Sequence, residues 1–337
     1  MPEITITDTM KFMEDALVKV GSPAGNASQV SEVILDSELR GSPDHGLYFF
    51  KLVIDWHQNG TINPDPKTEV IKDSAMITIV EGDDGCGVIG MNIAVEKSIA
   101  KANTVGMAAG SVRNSGNVIA LAPYVQRAAE EGLIAFACSA FRHPIIPPSG
   151  GLTGKFGTNP IAYAAPAGKY APYILDMATS SIAAAKVWEA ATNDQTIPVG
   201  LVEKSDGTPL TNATDYELGS SLILPMAGAR GYGLALMSDI FGNVLSGSDW
   251  GHFLWLINPD EFRPIDEFKL AMDTELDRIK SGKKKPGIDE IFYPGERSQR
   301  RMAKLRSEGS LQLGDTAWQA MEVISQTIGV KMPSSID

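Results

Sequence analysis

The residues best suited to chemistry in this chain are a few polar groups set in glycine-rich turns. His45 lies in Gly41-Ser42-Pro43-Asp44-His45-Gly46, beside a glycine that permits close backbone approach. An imidazolium can donate a proton near neutral pH, notably to an oxygen that is becoming an alkoxide. A lone histidine in a turn is equally compatible with a structural role. Asp176 lies at the end of the apolar run Ile174-Leu175-Asp176-Met177, with Ala178 and the capping residues Thr179 and Ser180 after it. A carboxylate there is costly unless it is used. Paired with a histidine, it would orient the ring and favour its charged form; otherwise it is an ordinary capping or turn aspartate. Gly157-Thr158-Asn159-Pro160 offers small side chains and backbone donors just before a strand, suited to contacting a ligand. Pro294-Gly295-Glu296 reads as a turn before an Arg-rich helix.

Gly85-Cys86-Gly87-Val88-Ile89-Gly90 is a literal G-x-G-x-x-G between an expected strand and an expected helix. In a Rossmann fold those glycines bring a helix N-terminus against a pyrophosphate, and an acid at the end of the next strand holds a ribose. The next strand here, Gly106 to Val112, ends without a carboxylate. The motif is therefore read as a turn.

The elements that must position these groups follow from periodicity. Two helices fill the first 40 residues, broken at Gly21-Ser22-Pro23, with Phe12, Ala16, Leu17 and Val20 on one face and Val30, Val33, Ile34 and Leu39 on the other's. Tyr48-Phe49-Phe50 opens a third helix, Ala75–Val80 reads as a strand, and Gly90–Ala102 has helical spacing. Short apolar strands follow at Gly106–Val112, Ile134–Ser139, Pro160–Ala165 and Ile174–Met177, with helices at Val118–Glu131 and Ile182–Ala191. A Gly-rich helix at Gly231–Leu245 and a strand at Phe253–Ile257 precede a helical tail. Helices at both ends around a strand-rich centre predict a mixed α+β fold. Residues 1–74 with 265–337 would form a discontinuous helical lobe carrying His45, and residues 75–264 a mixed-sheet lobe.

The bulk properties exclude several classes. A net charge of −12 argues against a nucleic-acid partner. The basic clusters around Lys280–Lys285 and Arg297–Arg306 read as solvated faces. The chain has 2 cysteines and 4 histidines, the latter without paired ligand spacing, so neither a disulfide framework nor a metal site is expected. No stretch approaches the length of a membrane span and the first residues lack signal-peptide character, so a soluble, cytoplasmic protein is expected.

Taken in order, LRGSPDHGL at 39–47, VRNSGN at 112–117, GKFGTNPIAYAAP at 154–166, ILDMATS at 174–180, ARGYGLALM at 229–237 and FYPGE at 292–296 resemble the malate/L-lactate dehydrogenase family of the non-Rossmann type. The resemblance runs from about residue 8 to residue 330. It implies a mixed-sheet nucleotide-binding lobe, a helical lobe from both termini, and a homodimer. It also implies hydride transfer between NAD or NADP and carbon 2 of a small 2-oxo or 2-hydroxy acid. His45 would be the proton donor and Asp176 its partner. The nucleotide would lie along Tyr173, Ile174, Leu175, Asp176, Met177 and Ala178, and at Ala229, Arg230, Gly295, Glu296 and Asn117. Thr158 and Asn159 would line the substrate side.

The chain departs from the family pattern at Asp44 (usually Ser), Phe49 (usually Arg), Asn117 (often His) and Arg230 (usually Lys). Losing an arginine at Phe49 removes a natural clamp for the substrate carboxylate. Arg142 and His143, after the strand at Ile134–Ser139, are expected to replace what Phe49 and Asn117 lack. Two other readings stay open at this point. One is a reductase of cyclic imino acids; the other is a homologue that has lost catalysis and acts as a binding protein.

Overall fold

The fold is organised by a seven-stranded sheet of order β2-β3-β4-β10-β5-β6-β7 in a computed structural model describing residues 2–336. Strand β1 (Glu3–Thr5) leads into α1 (Ile6–Lys19), whose first turn is capped by Thr5 accepting from the Asp8 N–H at 2.9 Å. Helix α2 (Ala24–Arg40) ends at Gly41, whose φ of 83° is the left-handed C-cap that glycine takes without steric cost. The chain then makes a 3-10 turn at Pro43–His45 and enters α3 (Leu47–Gln58). The expected break at residues 21–23 and the expected apolar faces are found: Phe12, Ala16, Leu17, Val30, Val33, Ile34 and Leu39 are all buried.

Strands β2 (Glu69–Asp73) and β3 (Ile77–Glu81) form an antiparallel pair, and α4 (Gly87–Val105) carries the chain to β4 (Met107–Arg113), parallel to β3. This is the sheet's single parallel pair, because every other connection reverses direction. Helix α5 (Ala122–Glu130) leads to β5 (Ile134–Phe141), β6 (Ile161–Ala165) and β7 (Tyr173–Met177), an antiparallel series. After α6 (Ala184–Thr192), the small hairpin β8 (Val202–Lys204) and β9 (Ser221–Ile223), and α7 (Ala229–Asp239), the helix runs on as a π-helix at Ile240–Val244. Strand β10 (Trp250–Ile257) then inserts between β4 and β5, antiparallel to both. Helix α8 (Ile265–Lys280), α9 (Glu296–Glu308), β11 (Ser310–Gln312) and α10 (Asp315–Ile328) complete the chain, with β11 pairing β1.

The fold is the mixed α/β arrangement expected, with no doubly wound parallel sheet among the described residues. Three details differ. The helix expected from Val118 starts only at Ala122, because residues 117–121 form an irregular loop in which Ile119 has a φ of 68°. Strands β1, β2, β8, β9 and β11 carry too few alternating apolar residues to be seen in the sequence. The expected lobe boundary at 74/75 falls between β2 and β3, which pair directly, so β2 belongs to the sheet. One core joins both parts, running from Phe12 and Ile34 through Met91, Val112 and Tyr124 to Leu254 and Met321. A smaller core under α6 gathers Ile146, Val187, Ile197, Val202 and Ile223. No helix among the described residues is long and apolar enough to cross a membrane.

Candidate active site

The turn that presents His45 is held from three sides. Buried Glu38 accepts the Leu47 N–H at 2.9 Å, and Arg301 of α9 donates to the carbonyls of Glu38 and Leu39 at 2.8 Å each. A methyl group on Gly46 would lie 2.1 Å from Glu38 Oε2, so this position must lack a side chain. His45 Nδ1 lies 3.4 Å from the buried Asp44 carboxylate, and its ring stacks on Phe49 at 5.7 Å. Burial pushes the Asp44 carboxyl up, but the contact with His45, the His45 charge and the Lys186 charge outweigh it and hold the group below its ordinary value. Asp44 is therefore an anion at neutral pH.

Asp176 approaches from the sheet. Alternation along β7 puts Ile174 and Asp176 on the face turned to α5 and the His45 turn. The Asp176 carboxylate accepts the backbone N–H groups of Leu121 at 3.0 Å and Ala122 at 2.7 Å. The cavity leaves Asp176 reachable by water, yet protein crowds it closely enough for desolvation to push its carboxyl up. The Ala122 and Leu121 N–H groups and the charges of His45 and Arg40 oppose that rise. The irregular loop after β4 is thus shaped to deliver two amides to one carboxylate. Asn117 tightens the same loop, its Oδ1 accepting from the Ile119 N–H at 2.6 Å.

These groups line one cleft of about 1210 Å³ at the sheet end formed by the C-termini of β5 and β7 and the N-terminus of β10. Of the residues expected from the sequence, His45, Asn117, Thr158, Asn159, Ile174, Asp176, Met177, Ala178, Gly295 and His143 all line it. Asn159 does so chiefly as a brace: its Nδ2 donates to the Ala235 carbonyl at 3.0 Å and its Oδ1 accepts the Phe141 N–H at 3.3 Å.

Other expected residues are not brought there. Tyr173 and Leu175 project from the opposite face of β7, Tyr173 packing edge-on to Tyr163. Ala229 and Arg230 are exposed in the first turn of α7, outside the lining. Glu296 is buried under Lys280 and Arg300, which pair with it. Arg142 lines an adjoining cavity of about 460 Å³ and is paired with Asp249 at 2.5 Å and Asp239 at 3.8 Å, so its charge is already matched.

The structure adds residues that no sequence signal singled out. Lys186, the one cation of α6, lines the cleft and forms no ion pair among the described residues. Trp56, Phe141 and Trp250 line the cleft beside Phe49. Behind them, buried His252 on β10 donates from Nε2 to the Gly116 carbonyl and accepts from the Ser139 hydroxyl at Nδ1, both at 2.9 Å. Desolvation lowers its pKa to about 4, opposed by the hydrogen bond to the Gly116 carbonyl.

The glycine motif is packed, not open. The Gly85 N–H bonds the Gly82 carbonyl at 3.0 Å and the Gly87 N–H the Asn117 carbonyl at 3.1 Å. A methyl on Gly87 would come within 2.3 Å of the Gly116 oxygen, and one on Gly90 within 2.5 Å of Val112. These glycines let α4 lie against β4 and the Asn117 loop, as expected of a turn.

A sheet with a single parallel pair and a glycine motif consumed by packing set this fold apart from the Rossmann class, and His45 and Asp176 share one cleft. The chain belongs to the malate/L-lactate dehydrogenase family, which it matches over residues 4–322. It is 31% identical to a malate dehydrogenase of Pyrococcus abyssi, covering 96% of this chain and 94% of that protein. It is also 31% identical to the L-sulfolactate dehydrogenase of Methanocaldococcus jannaschii, over 97% of each. Its fold matches the crystal structure of malate dehydrogenase from Entamoeba histolytica with a TM-score of 0.90 and 27% identity, covering 98% and 99% of the two chains.

Proposed function

We propose that this protein transfers a hydride between a nicotinamide nucleotide and carbon 2 of a small 2-oxo or 2-hydroxy acid, with His45 moving the proton. The observation that carries the reading is the convergence of His45 and Asp176 on one cleft. Buried Asp44 touches the ring nitrogen nearest to it. A bound nicotinamide nucleotide would supply or accept the hydride. His45 holds a proton for the oxygen at carbon 2 and takes it back in the reverse direction. Asp44 orients the ring, while Asp176 faces it across the cleft.

The residues present fit such a nucleotide. The cleft exceeds the usual volume of about 300–1,000 Å³ for a single small ligand. Nη1 of Arg40, which lines the cleft, is a buried donor with no protein acceptor. Gly295 lies so close to Ile174 that a methyl would meet its carbonyl at 2.8 Å, so the N-terminus of α9 lies directly beside β7. Ile174, Met177, Ala178, Gly295 and Ser298 would hold the nucleotide along β7 and α9. NAD and NADP both remain in this reading.

The test is oxidation of NADH and of NADPH against a panel of 2-oxo acids and cyclic imino acids. Consumption with oxo acids supports the reading. Consumption with cyclic imino acids alone would move it to a C–N reductase, and no consumption to a non-catalytic binding protein. The homodimer proposed with it is supported by the exposed Leu236, Ile240 and Val244, spaced by four along α7 and the π-helix. Light scattering of the purified protein tests it.

A further inference from the structure

The ring contacts of the cleft form an unbroken series. His45 stacks on Phe49 at 5.7 Å, Phe49 meets Trp56 edge-on at 5.6 Å, and Trp56 meets Trp250 edge-on at 6.2 Å. Trp250 then stacks on Phe141 at 4.0 Å and Phe141 on His143 at 4.9 Å. All six rings line the cleft. They come from the 3-10 turn, α3, β5, β10 and the residues just after β5, so tertiary contact assembles the wall. Burial lowers the pKa of His143, so the far end of the wall brings no charge at neutral pH.

The permanent cations of the lining are two. Arg40 is buried and paired with Asp36. Lys186 has no ion pair, and α6 packs it toward the 3-10 turn closely enough for its charge to act on Asp44. Against these stand two carboxylates, Asp44 and Asp176. The lining therefore offers one positive charge without an ion pair, placed on the His45 side, while Arg40 keeps only its Nη1 free for the nucleotide.

We propose that the substrate is a monocarboxylic acid whose carbon 3 carries a flat, apolar group. Lys186 binds the carboxylate, and Phe49, Trp56, Trp250 and Phe141 bind the apolar group. This rests on the function proposed above and narrows it. A carboxylate beside Lys186 keeps carbon 2 near His45 and directs the remainder of the acid along the ring wall. A second acidic group, as in a dicarboxylate, would meet aromatic faces, which carry the negative side of the ring quadrupole. It would find no free cation there and would lose its hydration. A flat apolar group gains area burial and ring stacking in the same place.

The experiment compares phenylpyruvate, pyruvate and oxaloacetate with NADH and NADPH in the intact protein. Calorimetry with two inert acids, 3-phenylpropanoate and succinate, is run with oxidised cofactor added. The expected result is a kcat/KM for phenylpyruvate about 10²-fold above that for oxaloacetate, the order of discrimination an apolar pocket supplies. 3-Phenylpropanoate should bind and succinate should not. Lys186→Ala should raise the phenylpyruvate KM about ten- to a hundred-fold, the loss of one charged hydrogen bond, with cofactor affinity unchanged. Phe49→Arg should shift preference toward oxaloacetate. Should that buried substitution fail to fold, the wild-type panel and the exposed Lys186→Ala variant decide. Preference for oxaloacetate or pyruvate, or an unchanged KM in Lys186→Ala, overturns the proposal and leaves the dehydrogenase reading standing. Absence of any nucleotide oxidation overturns that reading instead, and the calorimetry still judges the acid preference by itself.

Discussion

The carboxylate of Asp44 lies 3.4 Å from Nδ1 of His45, its neighbour in the chain, while Asp176 is engaged by the Leu121 and Ala122 amides. The two carboxylates therefore stand differently to one imidazole. Asp44 touches the ring, and Asp176 is held across the cleft by the loop after β4.

Replacing His45 tests the proton donor. His45→Ala should lower turnover about 10²–10⁴-fold, the range for a positioned general acid. Cofactor dissociation constants, followed by nucleotide fluorescence, should stay within about threefold of wild type, since each 1.4 kcal/mol is tenfold. Near-normal turnover in the folded variant removes His45 from the chemistry.

Asp176→Asn keeps an oxygen for the Leu121 and Ala122 amides and removes the charge. Its pH–rate profile for reduction should fall at lower pH than wild type, because loss of a nearby anion disfavours the protonated donor. Thermal unfolding at neutral pH should change little, since desolvation makes the wild-type charge costly at this site. A profile that superimposes on wild type would show that Asp44 alone serves the ring.

His252 makes stability depend on pH. Its folded pKa is about 4 against an ordinary 6.5, so the unfolded chain binds the extra proton between those values. Stability should therefore decline as pH falls from about 6.5 toward 4, by roughly 3 kcal/mol in total from this group. His252→Gln, compared by denaturant unfolding at several pH values, should show a shallower decline across that window. An equal slope in both proteins would count against the neutral buried imidazole.

Two glycines should respond in opposite directions. Gly87→Ala puts a methyl 2.3 Å from the Gly116 oxygen and 2.8 Å from His252 Nε2, so it should cost about 1–3 kcal/mol as an overpacked site. Gly25, in the first turn of α2, has nothing within 4 Å of such a methyl. Gly25→Ala should be neutral or stabilise by up to about 1 kcal/mol. Differential scanning calorimetry of the two variants reads both signs.

Arg142 was expected from the sequence to clamp the substrate. Its pairing with Asp249 and Asp239 predicts instead that Arg142→Ala leaves the substrate KM within about threefold of wild type and costs no more than about 1 kcal/mol of stability. A large rise in KM would show that the arginine leaves those partners to meet substrate.

By itself the sequence determined what depends on local chemistry and periodicity. The break between α1 and α2, the apolar faces, six of the seven strands of the main sheet and the α4 helix follow from spacing and from Gly and Pro positions. His45 and Asp176 stand out because a polar group beside glycines, or at the end of an apolar run, is expensive without a use. Tertiary structure alone decided which groups share a cavity. Asp44 reads as a mere variant neighbour until the turn brings its carboxylate to the ring. Lys186 is one more surface lysine until α6 packs against that turn. The aromatic wall joins Phe49 and Trp56, two turns apart on α3, to Phe141 and Trp250, which lie far along the chain with no period linking them to that helix. Arg142 pairs with Asp249, a residue more than 100 positions later, and no local pattern shows that partner. Charge compensation and ring stacking are pairwise in space, and a linear pattern carries no record of which pairs will meet.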